Sequence, residues 1–337
     1  MRVLITGGAG YIGTHILTDI LPSGHDILVI DNHINSSPLS LNRVQQITNK
    51  TFSKIKLDLT NANKLHNVFK EFQPEVVIHL AGLKAVDESN LKPILYYKNN
   101  VGGTLSLLES MSKFGCQKII FSSSATVYGK PVYLPFDESH PTEPLNPYGK
   151  SKLFCEEIIK DWSNLQDNRT AIILRYFNPI GAHASGLIGD NPDGIPNNLL
   201  PYITKVAVGK CKNLLIYGND YNTVDGTGMR DYIHVMDLAR GHKVALDYSC
   251  FHTGYKVFNL GRGKANSVYE IISTFAKETG IDIPYEITSR RKGDIATSYS
   301  DIKKSKTILN WEARLSLTDM IRDSWKWQSN NPNGFST

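Results

Sequence analysis

Long apolar runs are missing from this sequence. Nothing in its 337 residues approaches the roughly 18 consecutive apolar residues of a membrane-spanning helix. The N-terminal run Val3-Leu4-Ile5 is too short for a secretory signal, so a cytoplasmic protein without a membrane partner is expected. Cysteine is scarce. Cys116, Cys155, Cys211 and Cys250 stand far apart with no C-x-x-C, which argues against a disulfide framework or a zinc site and predicts buried thiols and no bound metal. Charge of one sign is also lacking: 37 Lys and Arg against 32 Asp and Glu leave a formal +5. A nucleic-acid partner would need a broader basic stripe than that. The densest basic cluster, Arg290-Arg291-Lys292, reads either as a solvated loop or as a phosphate clamp. There is no internal repeat. What is present, 41% apolar and 20% charged residues, suffices for a globular core, and the length suggests about two domains.

Short β-type runs recur along the first half: Arg2 to Thr6, Asp26 to Ile30, Ser53 to Leu57, Glu75 to Leu80, Gln117 to Phe121 and Thr170 to Leu174. Helical spacing fills Tyr11 to Leu21, Val101 to Phe114 and Tyr148 to Leu165. Strands separated by helices require crossover connections, hence a parallel sheet buried on both faces. The predicted class is α/β, a Rossmann-type doubly wound parallel sheet with a smaller α/β C-terminal domain for substrate. The boundary is placed at residues 1–178 and 179–337, with some later segments returning to the first domain. Gly181 to Asn198 and Gly218 to Gly228 are rich in turn-forming residues and read as functional loops. The polar tail from Gln328 is expected to fray.

Between the first strand and first helix lies Thr6-Gly7-Gly8-Ala9-Gly10-Tyr11-Ile12-Gly13. Gly8, Gly10 and Gly13 satisfy G-x-G-x-x-G, while Gly7, Gly10 and Gly13 give the related spacing of three. Glycine is needed where the backbone turns tightly and where it must approach a pyrophosphate at a helix N-terminus. The second strand ends in Asp31, eighteen residues beyond Gly13. A carboxylate there bonds ribose hydroxyls and repels a 2′-phosphate, and no Arg follows directly, which points to NAD over NADP. Asp58, at another strand end, reads either as an adenine contact or as a helix cap.

Tyr148 and Lys152 lie four apart, on one face of a helix that Asn146 and Pro147 are suited to start. A free tyrosine titrates near pH 10, and a nearby ammonium favours the phenolate. Such a pair can serve as a general base. Ser122-Ser123-Ser124 closes the strand before it, at the edge where open α/β sheets bind ligands. A hydroxyl there can share a hydrogen bond with the tyrosine and a substrate hydroxyl.

Eight blocks in order carry a family resemblance over almost the whole chain: Thr6 to Gly13, Ala81 to Val86, Ser122 to Gly129, Tyr148 to Lys152, Leu174 to Pro179, Ile195 to Leu199, Arg230 to Val235 and Arg291 to Asp294. The chain resembles the extended short-chain dehydrogenase/reductases, and among them the UDP-hexose 4-epimerases. The resemblance implies a retained NAD, a UDP-sugar substrate and a homodimer. Tyr148 would take the proton of the sugar 4-hydroxyl while C4 gives hydride to NAD, and the 4-keto sugar would turn over and be reduced on its other face. Ser124, Tyr148 and Lys152 would be catalytic.

On the matching positions, the NAD site would comprise Gly7, Gly10, Tyr11, Ile12, Gly13, Asp31, Asn32, Asp58, Leu59, Ala81, Lys84, Asn99, Ser122 and Tyr176, besides Tyr148 and Lys152. The UDP-sugar would meet Phe177, Asn178, Asn198, Leu199, Tyr217, Arg230, Tyr232, Arg291 and Asp294, besides Lys84, Ser124 and Tyr148. Arg230 and Arg291 suit a diphosphate because guanidinium forks match phosphate oxygens. His79 and His234, in apolar strand-like runs, are read as structural. Narrow members of the family place a bulky Tyr a few residues beyond the Arg-x-Gly-Asp segment. Here Ser298 falls there and Tyr299 one place later, so acceptance of UDP-N-acetylglucosamine and UDP-N-acetylgalactosamine is expected beside the UDP-glucose and UDP-galactose pair. The alternatives are an epimerase restricted to the plain pair, a nucleotide-sugar 4,6-dehydratase and a noncatalytic NAD sensor. The dehydratases carry acids where Ser124-Ala125 has none, and sensors typically lose the Tyr or the Lys.

Overall fold

A computed structural model describes residues 1–192, 194, 196–291 and 293–335. Ile195 and Lys292, each within a motif named above, lie outside the described residues. Seven parallel strands form the main sheet: β1 (Arg2–Thr6), β2 (Asp26–Asp31), β3 (Ser53–Lys56), β4 (Val76–His79), β5 (Lys118–Ser124), β6 (Thr170–Tyr176) and, after three strands elsewhere, β10 (Gly254–Leu260). Their order is β10-β6-β5-β4-β1-β2-β3, the Rossmann-type doubly wound arrangement predicted.

Alternation within each strand explains how one sheet serves two layers of helix. Val3 and Ile5, Ile27 and Val29, Val76 and Ile78 belong to one buried cluster with Ile16, Leu17 and Ile20 of helix Tyr11–Ile20, Leu41 and Val44 of Pro38–Thr48, and Leu238 and Leu246 of Val235–Ser249. Leu4, Leu28, Ile30, Val77, Ile119 and Phe121 join a second cluster. It includes Leu65 and Phe69 of helix Ala62–Phe72, Leu107 and Met111 of Gly102–Phe114, and Ile159 and Trp162 of Pro147–Asn164. Each fully buried aliphatic side chain contributes about 1.5–3 kcal/mol of transfer free energy, which is why both helix layers hold firmly to these runs.

The remaining strands are β7 (Asn178–Ile180), β8 (Leu214–Tyr217), β9 (Met229–His234), β11 (Ala265–Ser267), β12 (Tyr285–Thr288) and β13 (Thr297–Ser298). β9 pairs in parallel with β7 and β13 and antiparallel with β11, while β8 pairs with β12. Helices Leu199–Ala207, Val268–Thr279 and Leu317–Asn330 enclose a third apolar cluster around Ile203, Ile271, Phe275 and Ile321. The chain recrosses the layers after residue 179, since β10 pairs with β6 along its whole length.

Two expectations need correction. The tail to Phe335 is anchored. Trp327 is buried, its ring and that of Phe335 receive the Arg43 guanidinium at 5.5 and 5.1 Å, and Arg43 donates to Leu187 O and Asn331 Oδ1. A polar segment is held here by one arginine and two aromatics, contacts that local polarity does not reveal. The thiols also differ: Cys116 and Cys155 are buried, Cys211 is half-buried and Cys250 exposed, and all four are free. Among the described residues, no helix is long and apolar enough to cross a membrane.

Candidate active site

A cleft of about 1750 Å³ runs across the C-terminal ends of β1, β2, β4 and β5 and continues between this sheet and the β9 layer. It opens where β1 is flanked by β2 on one side and β4 on the other, the switch point at which crossovers diverge and a crevice forms. All the proposed site residues except Tyr148 and Lys152 line it.

At one end the glycine turn meets helix Tyr11–Ile20. Gly7 has φ +71°, and a Cβ on it would stand 2.6 Å from Ala81 N, so the turn is packed against the end of β4. Gly13 is pressed onto Gly8, where a Cβ would meet Gly8 Cα at 2.6 Å. Gly10 is the N-cap of the helix and has no side-chain cap, leaving the first turn suited to an anion. Asp31 ties this turn to β2. It accepts from Ala9 N at 3.0 Å and from His33 N and Ser36 Oγ at 2.9 Å. Asn32 donates to Asp58 Oδ2 at 2.8 Å. Asp58 is not the helix cap, because Asn61 fills that place by accepting from Lys64 N. Leu59, Ala81 and Lys84 continue the wall. A π-type turn, Tyr97–Val101, brings Asn99 to the cleft while Asn100 turns inward to bond Leu83 and Ser151 Oγ.

The middle of the cleft floor is the serine run that ends β5. Helix Pro147–Asn164 begins as predicted, with Asn146 Oδ1 accepting from Gly149 N at 2.9 Å. From its second turn Lys152, 5% exposed, donates to Ser122 O at 2.7 Å, and its ammonium lies 4.8 Å from the Phe121 ring centre. It sits just behind the wall, since a Cβ on Gly82 would be 3.7 Å from Lys152 Nζ. Burial pushes Lys152 down to about 8 against the pull of Cys155 and Glu156. Ser124 caps the turn Ala125–Val127 by accepting from Thr126 N, and its Oγ is 2.5 Å from Thr126 Oγ1. Burial pushes the Tyr148 phenol up from its usual value, and a hydrogen bond with Ser124 draws it down. This corrects the expected electrostatics. In the protein alone desolvation dominates, and the hydroxyl of Ser124 is the group that opposes it. Tyr176 closes the floor, its hydroxyl bonded to His242 Nε2.

At the far end Phe177, Asn178, Asn198 and Leu199 line the cleft together with β9 residues Arg230 and Tyr232, Asn178 lying in register with Tyr232 on the adjacent β7. Arg230 donates to Met229 O and stands 3.5 Å from Asp294 Oδ1. Arg291 stacks on Tyr217 with its guanidinium carbon 3.9 Å from the ring centre. Neighbouring Arg290 is spent on Asp220 and on the Tyr221 ring. Of the basic cluster, therefore, Arg291 is the cation at the cleft, Arg290 is structural, and Lys292 lies outside the described residues. Ser298 lines the cleft from β13, opposite Arg230 in register. Tyr299 spends its carbonyl on Phe136 N. The two histidines lie off the cleft: His79 bridges Thr6 and Thr104 hydroxyls, with burial pushing it to about 3, and His234 caps helix Val235–Ser249 and meets Asp323 at 3.2 Å.

Sequence reasoning missed Asp190, His33, Tyr221 and Phe335, which also line the cleft. Asp190 stands 3.8 Å from Lys84, whose ammonium lies 5.9 Å from the Tyr11 ring centre, so Asp190 latches onto the glycine-turn end. The loop composition of 181–198 flagged that segment without singling out a residue. For a dinucleotide the donor set fits: an uncapped helix start in a glycine cradle, with a carboxylate and an amide at the next strand end.

The family model described as GDP-mannose 4,6 dehydratase matches residues 4–324. The chain is 51% identical over 335 residues to the UDP-glucose 4-epimerase of Bacillus subtilis, spanning 99% of each. It is 48% identical over 343 residues to that of Homo sapiens, spanning 100% of this chain and 99% of the other. A crystal structure of the Bifidobacterium longum UDP-glucose 4-epimerase in complex with NAD+ and UDP is similar at a TM-score of 0.96 and 50% identity, covering 99% of this chain and 100% of that one.

Gly7→Ala tests the cradle. The left-handed φ and the collision with Ala81 should cost about 2 kcal/mol or more, read as a lowered midpoint in thermal unfolding.

Proposed function

The chain belongs to the UDP-glucose 4-epimerases, and on that premise we propose that it interconverts UDP-glucose and UDP-galactose, and also their N-acetylated counterparts, with a retained NAD. The observation that carries the reading is that Lys152 bonds Ser122 and Tyr148 bonds Ser124 at the end of β5, where the two serines line the cleft. Tyr148 takes the proton of the sugar 4-hydroxyl and later returns it. Ser124, bonded to the phenol, holds that hydroxyl in line. Lys152 fixes the helix that carries Tyr148 by its bond to Ser122 O. NAD, when bound, supplies a reversible hydride store and, when oxidised, a positive charge that favours the phenolate. Arg230 and Arg291 grip the diphosphate while the 4-keto sugar presents its other face. The glycine turn, Asp31, Asn32 and Asp58 would hold the dinucleotide. Asp31 already concentrates negative charge where a 2′-phosphate would lie, which supports NAD over NADP.

The dehydratase reading is weaker. Its chemistry needs an acid beside the sugar C5 and C6, and Ser124 is followed by Ala125 and Thr126. The free thiols suit a reducing compartment, in keeping with work in the cytoplasm.

Assembly as a homodimer is part of the same reading. Leu91 and Ile94, 82% and 63% exposed, belong to the short helices Val86–Leu91 and Pro93–Tyr96, which pack against the helix of exposed Phe154, on whose ring Tyr97 stacks at 5.9 Å. An apolar face of this kind suits a self-complementary contact. Phe154→Glu should shift the protein from dimer to monomer in sedimentation velocity.

Tyr148→Phe keeps the ring packing and removes the proton carrier. Turnover should fall by about 10² to 10⁴ while NAD remains in the purified protein; release and assay of the cofactor separates the two effects. A mutant within a few-fold of the parent would remove Tyr148 from the mechanism.

Ser298 governs substrate width in this proposal. A serine leaves room for an N-acetyl group that a phenol would fill. Ser298→Tyr should suppress turnover of the N-acetylated pair by about tenfold or more and spare the plain pair. The width assignment fails if the unsubstituted enzyme epimerises UDP-galactose but leaves UDP-N-acetylglucosamine unchanged.

A further inference from the structure

Between Ser122 and Ser124, both at the cleft, Ser123 points the other way and is 1% exposed. Its Oγ donates to Glu156 Oε1. Glu156 lies one helical turn beyond Lys152 and is completely buried. The same carboxylate accepts from Arg175 of β6, through Nε at 3.1 and 3.3 Å and through Nη2 at 2.6 Å. Arg175 stands in register with Ser123 on the neighbouring strand, and its guanidinium carbon lies 4.8 Å from the Tyr128 ring centre. Tyr128 directly follows the turn that Ser124 caps, and donates to Asn259 Oδ1 on β10 at 2.7 Å. The catalytic helix is thus joined to β5 by two successive turns: Lys152 bonds the backbone of Ser122, and Glu156 bonds the side chain of Ser123 and, through Arg175, braces the segment after Ser124.

We propose that Glu156 is a positioning residue for the epimerisation, fixing the axial place of helix Pro147–Asn164 on β5 and thereby the setting of Tyr148 against Ser124. The inference rests on the epimerase reading. Its physical content is that, toward β5, the Lys152 bond by itself leaves a pivot: one hydrogen bond from a flexible four-carbon stem does not set the helix in depth and rotation on that strand. A buried carboxylate bonded both to a strand hydroxyl and to a guanidinium fork does, because the fork has a fixed geometry. A group that reacts by proton transfer loses rate steeply when displaced by a fraction of an ångström.

The test uses the holoenzyme. Glu156→Gln strands the Arg175 charge in the core and can fail to fold, so the deciding variant is Ser123→Ala, which leaves the ion pair whole. The expected result is a fall in kcat by about tenfold to a hundredfold, with KM for UDP-galactose and the content of bound NAD within twofold of the parent. Ser123→Thr, which keeps the hydroxyl, should recover most of the loss. A Ser123→Ala enzyme with parental kcat overturns the proposal. So does one whose kcat falls only in step with its folded fraction or with lost NAD. A parent protein with no epimerase activity would instead overturn the functional reading, and this inference with it.

Discussion

Everything at the cleft follows from the strand order around β1. Right-handed crossovers from β1 to β2 and from β3 to β4 send the chain to opposite sides of β1, so their helices cannot meet above its C-terminal end. The glycine turn occupies one side of that gap and the end of β4 the other, with Gly7 pressed onto Ala81 between them. Asp31 at the end of β2 bonds the turn, Lys84 after β4 reaches Asp190, and the serine run of β5 completes the floor. Four strand ends thus supply one continuous wall.

The polar groups of this wall are divided by the pleat of β5. Ser122 and Ser124 serve the cleft side, and Ser123 serves the buried helix behind it. A buried ammonium and a buried carboxylate, one helical turn apart, are both tolerated because each has partners on β5 or β6. Their cost is carried by the apolar packing of Ile159 and Trp162 farther along the same helix.

Much of this was legible in the residues. The parallel sheet was visible because both its faces are covered, which writes continuous apolar runs into Arg2–Thr6 and Asp26–Asp31, and because Asn146-Pro147 marks a helix start by local chemistry alone. The glycine spacing and Asp31 were legible for the same reason: each encodes a backbone requirement or a strand end within a few residues. What escaped was set by distant partners. The tail is held by Arg43, almost three hundred residues away in sequence, and the Asp190 latch by Lys84, so neither leaves a periodic signal. The upward push on the Tyr148 phenol was not legible either, because it comes from burial, which no spacing encodes.

The late return of β10 has a consequence for how the chain comes to be folded. The edge of the main sheet beside β6 is completed by residues 254–260, and helix Tyr11–Ile20 is covered by helix Val235–Ser249. During synthesis β6 therefore emerges as an unpaired edge, with Ile172 and Leu174 lacking their later cluster partners Leu238, Leu246 and Phe258, and stays so until some eighty more residues have been made. Exposed edges of this kind recruit other strands. The first half of the chain is thus aggregation-prone until the second half arrives, and the two halves depend on each other for solubility as much as for chemistry.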